Sequence, residues 1–331
     1  MNAGELLSRL QLPFQGHMHG FDGSHDWLNS PPLAPTDLEG KVVAVNFWTY
    51  TCINWLRTLP YLRAWADAYD EHGLVMVGVH TPEFTVEHDI EAVRRAARDM
   101  DISYAIAIDN DYAVWNAFAN EYWPALYVAD NQGRIRHHLF GEGGQERAEH
   151  VLRKLLVDAG ALDLPEPVQV EPRAFELPAD WHHLRSPETY VGFGRSQGFA
   201  SPEHLGFDEP REYTEPSQLR VNEWALAGNW TVGREAAVSN DAGGRIKFRF
   251  HARDLHLILA PPTGRQARYR IRLDGEPPGT AHGLDVDEDG NGVVTEARLH
   301  QLIRQPAPIE DREFEIEFVD PGTAALCFTF G

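Results

Sequence analysis

Two hydrophobic rhythms divide the chain. From Lys41 to about Ala159, short unbroken apolar runs alternate with stretches whose apolar residues recur every three or four positions; beyond Asp180, apolar and polar residues alternate one by one. The first rhythm predicts strand, helix, strand, helix over Val42 to Trp48, Asn54 to Glu71, Leu74 to His80 and Glu87 to Met100. Buried strands separated by amphipathic helices make a parallel sheet with right-handed crossovers. In the first of these helices Leu56, Leu59, Leu62, Trp65, Ala66 and Tyr69 share a face, and Pro60, lacking a backbone donor, is expected to bend it. Tyr104 to Ile108 reads as a further strand and Asp111 to Phe118 as a helix capped by Asn110 or Asp111. A strand after Pro124, a turn at Asp130-Asn131-Gln132-Gly133, a strand to Phe140 and a helix from Gln145 to Ala159 stopped by Gly160 close the run.

The second rhythm predicts strands at Arg245 to His251, Leu255 to Ala260, Arg268 to Leu273, Glu313 to Val319 and Ala324 to Phe330, set apart by Gly, Pro and Asp turns. Phe248 and Phe250 against Arg245, Lys247 and Arg249 give one buried and one wet face. The expected organisation is an N-terminal extension and connector (1–40) holding a short helix at Glu5 to Leu10, an α/β domain (41–160), a stiff linker containing Pro165, Pro167, Pro172 and Pro178 (161–185), and an all-β sandwich (186–331).

A net charge of −21, from 50 acidic against 29 basic residues, repels phosphate backbones and anionic bilayers, so nucleic-acid binding is not expected. Two cysteines, one in each predicted domain, do not make a disulfide framework. The first twelve residues carry no secretory pattern and no apolar run reaches membrane-spanning length, from which a cytoplasmic protein without membrane contact is expected.

Candidate chemistry gathers where the first core strand turns into a helix, at Phe47-Trp48-Thr49-Tyr50-Thr51-Cys52-Ile53-Asn54-Trp55. A helix N-terminus offers unpaired N–H groups and partial positive charge, which favour thiolate over thiol. His80 ends the neighbouring parallel strand on the same edge and is a candidate thiolate partner or proton shuttle, with Glu83 as the alternative. Trp55 and Trp123 would flank the thiol as a slot for an apolar or peptide substrate, or as plugs over a dead site. Thr49, three before Cys52, gives a T-x-x-C string similar to the peroxidatic motif of peroxiredoxins, although Val45 stands where that family has proline. Clustered His17, His19 and His25 invite a metal reading without supplying cysteine partners.

The strand-to-helix segment resembles the thioredoxin-like domain of TlpA-type and DipZ-type thiol-disulfide proteins, with Trp55 in place of the second cysteine of C-x-x-C. The likeness runs on through Trp224-Ala225-Leu226, Trp230-Thr231-Val232-Gly233 and Phe250-His251-Ala252-Arg253-Asp254-Leu255, which look like the β-rich module of DipZ-type proteins, itself similar to carbohydrate-binding jelly rolls. The resemblance implies a TlpA/redoxin-type thioredoxin-like α/β fold followed by a jelly-roll-like sandwich, a cis-proline loop at Trp123-Pro124, and no cofactor. It also implies an external thiol reductant or a protein disulfide as partner, handled by a single active-site cysteine. A one-cysteine peroxidase, or a non-catalytic peptide or glycan binder, are the alternatives. Two further sites stand apart. Cys327 reads as a small packing group. Asp285, Asp287, Asp289, Asn291 and Glu296 have the spacing of an EF-hand calcium loop, yet Gly292 and the upstream Pro277-Pro278 do not suit its helices.

Overall fold

A computed structural model describes residues 12–331, so the helix expected at Glu5 to Leu10 lies outside the described residues. The chain divides into two compact units, the first reaching Glu176 and the second running Leu177–Gly331.

In chain order the first unit contains β1 (Asp26–Leu28), α1 (Pro35–Leu38), β2 (Val42–Trp48), α2 (Ile53–Leu56), α3 (Leu59–Tyr69), β3 (Leu74–His80), α4 (Ile90–Asp99), β4 (Ala105–Ile108), α5 (Ala113–Ala117), β5 (Ala125–Ala129), β6 (Ile135–Phe140) and α6 (Gln145–Asp158). The sheet order is β1-β4-β3-β2-β5-β6, with β4, β3 and β2 parallel and β5 antiparallel to β2. Every residue of β2 is buried, as expected of a central strand covered on both faces. Register pairs Trp48 with His80 and His80 with Ile108, so three strands end on one edge while β5, running the other way, begins there. A glycine is required inside β3. A Cβ on Gly78 would lie 2.9 Å from the Trp48 indole nitrogen and 3.1 Å from a Tyr104 ring carbon.

Three details depart from the sequence-based expectation. The helix expected to bend at Pro60 instead breaks: α2 stops at Leu56, Arg57 and Thr58 intervene, and Pro60 falls in the first turn of α3, where its missing N–H leaves no bond unmade. Asp109, rather than Asn110 or Asp111, satisfies the start of α5, accepting from the N–H groups of Val114 and Trp115 at 2.9 and 2.8 Å. The proline-rich segment is no free-standing spacer, because Glu176 pairs with Arg63 of α3 at 2.6 Å.

The second unit is one antiparallel sheet: β7 (Thr189–Tyr190), β8 (Pro210–Tyr213), β9 (Trp224–Val232), β10 (Ala237–Ser239), β11 (Gly244–Phe250), β12 (Asp254–Ala260), β13 (Ala267–Leu273), β14 (Asn291–Val294), β15 (Arg298–Arg304), β16 (Arg312–Phe318) and β17 (Ala324–Phe330). The sheet folds over on itself in half-barrel fashion at β9, whose first half pairs with β11 and whose second half pairs with β8 and β10. The switch falls at Gly228, with φ +89°. Phe248 and Phe314 of one layer thereby meet Phe328 of the other at 5.0 and 6.0 Å between ring centroids. The outer face carries Lys247 among Glu215, Glu313 and Glu315, as the alternation requires.

The candidate calcium loop is corrected by this sheet. Asp285 spends its carboxylate on Arg298 at 2.6 Å and the Gln301 N–H at 2.7 Å, while Asp287 accepts from the Asn291 N–H at 2.7 Å. Asp289 is exposed, Glu296 lies 4.0 Å from Arg298, and the segment from Asn291 enters β14 instead of a helix. The oxygens do not converge. Among the described residues no group of three His, Cys, Asp or Glu is placed to hold a metal, the His17, His19 and His25 region included.

Candidate functional site

Cys52 is the N-cap of α2, half-buried, with its backbone N–H donating to the Thr49 carbonyl at 3.2 Å. Neither cysteine is in a disulfide, and Cys327 is buried in β17. The Cys52 side chain makes no capping hydrogen bond, and α2 is only four residues long, so the aligned backbone dipole behind the sulfur is smaller than a full-length helix would supply.

Trp55 does not flank the thiol. It is fully buried, stacked on Trp48 at 4.3 Å, with its indole N–H donating to Asn46 Oδ1 at 2.8 Å. Trp55 therefore forms no wall of an exposed slot and is a packing side chain, as the alternative reading of the aromatic pair had it. Thr49 is likewise fully buried, so its hydroxyl is not presented to a peroxide from solvent.

His80 is corrected too. Its ring is fully buried, edge-on to Trp48 at 4.9 Å and parallel to Tyr50 at 5.8 Å, and neither ring nitrogen has a hydrogen-bond partner. Burial pushes its pKa down to about 3, so at neutral pH it is an uncharged packing group and supplies no imidazolium to a thiolate.

The carboxylate at this edge belongs to Glu87. It is fully buried, accepting from the Thr51 hydroxyl at 2.5 Å through Oε1 and from the N–H groups of Glu83 and Phe84 at 2.6 and 2.9 Å through Oε2. Burial pushes its pKa up to about 7, against the opposing pull of the Thr49 and Thr51 hydroxyls and the Phe84 N–H. Glu83, half-buried, contributes its backbone here and its charge raises Glu87 further. Sequence reasoning passed over Glu87 because it looked like the first residue of an amphipathic helix. The available signal was its place three after Phe84, where a glutamate reaches back to cap a turn.

The loop after β3 is fastened to everything around it. Tyr50 donates to the Val86 carbonyl at 3.2 Å, Thr81 to Asp109 at 3.1 Å, and the Trp123 indole to the Thr81 carbonyl at 3.0 Å, while Tyr112 donates to the Pro82 carbonyl. Trp123 is half-buried and packs on Trp115 at 4.2 Å; the Trp123–Pro124 peptide is cis and Pro124 is buried. Behind α2, Arg57 pairs with Glu142 at 3.0 Å, both nearly inaccessible.

Comparison with known proteins agrees with this layout. Residues 31–138 match the AhpC/TSA family and residues 186–331 match the thioredoxin-like C-terminal domain. Protein DipZ of Mycobacterium tuberculosis, and equally that of Mycobacterium bovis, is 36% identical over 277 residues, which make up 81% of this chain and 38% of DipZ. The chain is a DipZ-type thioredoxin-like protein. This DipZ-type chain spans well under half of the relative it matches over most of its length. Thiol-disulfide oxidoreductase YkuV of Bacillus subtilis is 30% identical over 136 residues, 41% of this chain and 91% of YkuV, so the first unit is of the thiol-disulfide oxidoreductase kind. One similar solved structure is described as a secreted Mycobacterium tuberculosis disulfide oxidoreductase homologous to E. coli DsbE. It is 19% identical with a TM-score of 0.32, covering 38% of this chain and 88% of that one.

DipZ corrects the expectation of a cytoplasmic protein: it extends far beyond the matched length, so the absence of an apolar run or leader pattern in this stretch does not report where such a protein resides. Among the described residues no helix is long and apolar enough to cross a membrane, which bears on those helices alone.

Proposed function

We propose that this DipZ-type chain exchanges disulfides through one thiol. The observation that carries the reading is the contrast between Cys52, half-buried at the strand-end edge, and Trp55, fully buried and hydrogen-bonded to Asn46 in the place of the resolving cysteine. The Cys52 thiolate attacks one sulfur of a disulfide, the S–S bond breaks, and the departing sulfur leaves as a thiolate that takes up a proton. The mixed disulfide so formed has no partner thiol nearby on α2. An external thiol must therefore attack the substrate sulfur of the mixed disulfide, so that the bond to Cys52 breaks, Cys52 leaves as a thiolate and the external and substrate sulfurs are joined in a new disulfide. Protein disulfides and small thiols are the substrate classes this chemistry admits. The half-buried Trp123 beside the cis Trp123–Pro124 bond is the surface next to which an extended segment would lie.

Incubation with oxidised glutathione followed by intact-mass and peptide mass spectrometry tests the reading. The expected result is one glutathione on Cys52, removed by added thiol and absent from Cys52→Ser. No adduct on Cys52 in the folded protein overturns it. A peroxide-dependent turnover requiring Cys52, with no disulfide exchange, would replace it with the one-cysteine peroxidase; the burial of Thr49 speaks against that alternative.

A further inference from the structure

The proline-rich run that leaves α6 comes back over the helix that starts at Cys52. Its near end is fastened to α6: the Val168 N–H donates to Oε1 of the buried Glu149 at 2.7 Å, and Arg153 donates to the Pro165 carbonyl. Beyond Val168 the chain carries no regular structure until the 3₁₀ turn Ala174–Glu176, and that turn packs against α2. Pro165, Pro167 and Pro172 stiffen the run, so fastening its near end confines its far end.

The grip on the turn is Glu176. Its Oε1 pairs with Arg63 of α3 at 2.6 Å, the two side chains being only 11% and 16% exposed, and its Oε2 accepts the Arg173 N–H at 2.8 Å. Arg63 is anchored in its turn, donating to the Met100 carbonyl just after α4 at 2.8 Å. The other ion pair here, Arg173 with Asp101 at 3.6 Å, is exposed on both sides and screened by solvent, so it holds little. Against these contacts stands Ala174, at φ +50°, a left-handed conformation that is unfavourable for a residue with a Cβ. One buried carboxylate therefore keeps a strained turn seated on α2.

We propose, resting on the single-thiol reading above, that Ala174–Glu176 is a cap on α2 that sorts by size the disulfides reaching Cys52. A small disulfide of the glutathione kind needs only the half-buried sulfur and reaches it with the cap seated. A protein disulfide brings chain on both sides of its sulfurs and must lay that chain against the edge around Cys52, where it meets whatever is packed on α2. Parting Glu176 from Arg63 relieves Ala174 and lifts the turn, while the fastening at Val168 keeps the strap at hand to reseat. Low-molecular-weight disulfides are thus the substrates of the seated form, and protein disulfides those of the lifted form.

The test compares alkylation of Cys52 by N-ethylmaleimide and by a maleimide carrying a polyethylene glycol of protein size, in wild type, Glu176→Gln and Ala174→Gly. Each rate is divided by its value in denaturant, which removes the reagents' own reactivities, and Cys327 is followed in the same samples. Wild type is expected to take the small reagent far faster than the large one. Glu176→Gln loses a charge-assisted bond, and its large-to-small ratio is expected to rise on the order of tenfold. Ala174→Gly keeps the ion pair and relieves the left-handed residue of the seated form, so its ratio is expected to fall about fivefold. Equal ratios in the three proteins overturn the proposal. So does a wild type that takes both reagents equally, or a Cys52 that takes neither in wild type and Glu176→Gln alike. A rise in Glu176→Gln that Cys327 shares reports general loosening; Ala174→Gly then decides, a lowered ratio supporting the cap and an unchanged one refuting it. Maleimides require no disulfide exchange, so a missing glutathione adduct defeats the single-thiol reading and leaves these ratios to judge the cap.

Discussion

The indole N–H of Trp55 donates to Oδ1 of Asn46 at 2.8 Å, and the Asn46 amide in turn donates to the Ala125 carbonyl at 3.2 Å. The position of the absent second thiol is thus joined through β2 to the first residue of β5, the strand that follows Pro124. A polar residue in the middle of a fully buried strand needs such partners, because an unsatisfied buried amide is expensive.

Replacing Trp55 with Ala therefore removes a stacked, hydrogen-bonded core side chain and should cost about 3–5 kcal/mol. Urea unfolding followed by circular dichroism measures it. Trp55→Cys belongs in the same series: it restores C-x-x-C in letters, but leaves a cavity beside Trp48 and takes from Asn46 Oδ1 the indole donor. Insulin reduction by that variant is expected only together with a large loss of stability. Full reductase activity at wild-type stability would show that the indole is dispensable.

Stability should respond to pH through two buried groups acting in opposite directions. Glu87, raised from 4.5 to about 7, holds more protons folded than unfolded between those values, so its contribution is complete below pH 4.5 and is lost as pH rises to 7. His80, lowered from 6.5 to about 3, holds fewer, so its contribution is complete above pH 6.5 and is lost as pH falls to 3. Between about pH 4.5 and 6.5 the two nearly cancel. Glu87→Gln removes one of them, and its stability relative to wild type should improve from pH 5 to pH 8 by a few kcal/mol, on the order of 1.4 kcal/mol for every pH unit crossed below the folded-state value. Parallel pH curves for the two proteins would contradict the assignment.

Cys52 is half-buried and Cys327 is 1% exposed with its thiol directed to the Phe328 carbonyl at 3.5 Å. Alkylation of the native protein at neutral pH should modify Cys52 faster than Cys327, by on the order of tenfold or more. The two should approach each other only in denaturant. Equal labelling without denaturant would place Cys327 in a locally open strand.

Much of the fold was legible because periodicity reports burial directly. The continuous apolar runs of β2 and β3 and the strict alternation in β11 and β16 each permit one face assignment, and the strands formed within one or two residues of where the pattern put them. The position of Cys52 at the start of α2 was legible from the strand-to-helix motif. The rest of the site was not, because direction and depth are set by tertiary neighbours. Nothing local distinguishes a strand-end histidine that faces the edge from His80, wedged between Trp48 and Tyr50. Nothing local says that Trp55 turns inward to Asn46, or that Glu87 is drawn under the loop by Thr51. Cytoplasmic placement failed for a different reason: a stretch that matches only 38% of DipZ carries too little of such a protein to report its address.

The same distinction between spacing and convergence bears on Asp285. Its letters fit the first ligand of a calcium loop, but its two oxygens bridge Arg298 and the Gln301 N–H, and its carbonyl accepts from the Tyr269 hydroxyl at 2.8 Å. The carboxylate thus fastens the segment before β14 to β15 across 13 and 16 residues of chain. Asp285→Ala leaves a partly buried guanidinium and a backbone donor without their acceptor, which should cost about 1–3 kcal/mol. A calcium ligand would behave otherwise, with wild type gaining thermal stability on calcium addition and the variant losing that gain. The expected outcome is a lowered melting temperature for Asp285→Ala, equal in calcium and in chelator. A calcium-dependent rise confined to wild type would reverse the structural assignment of this loop.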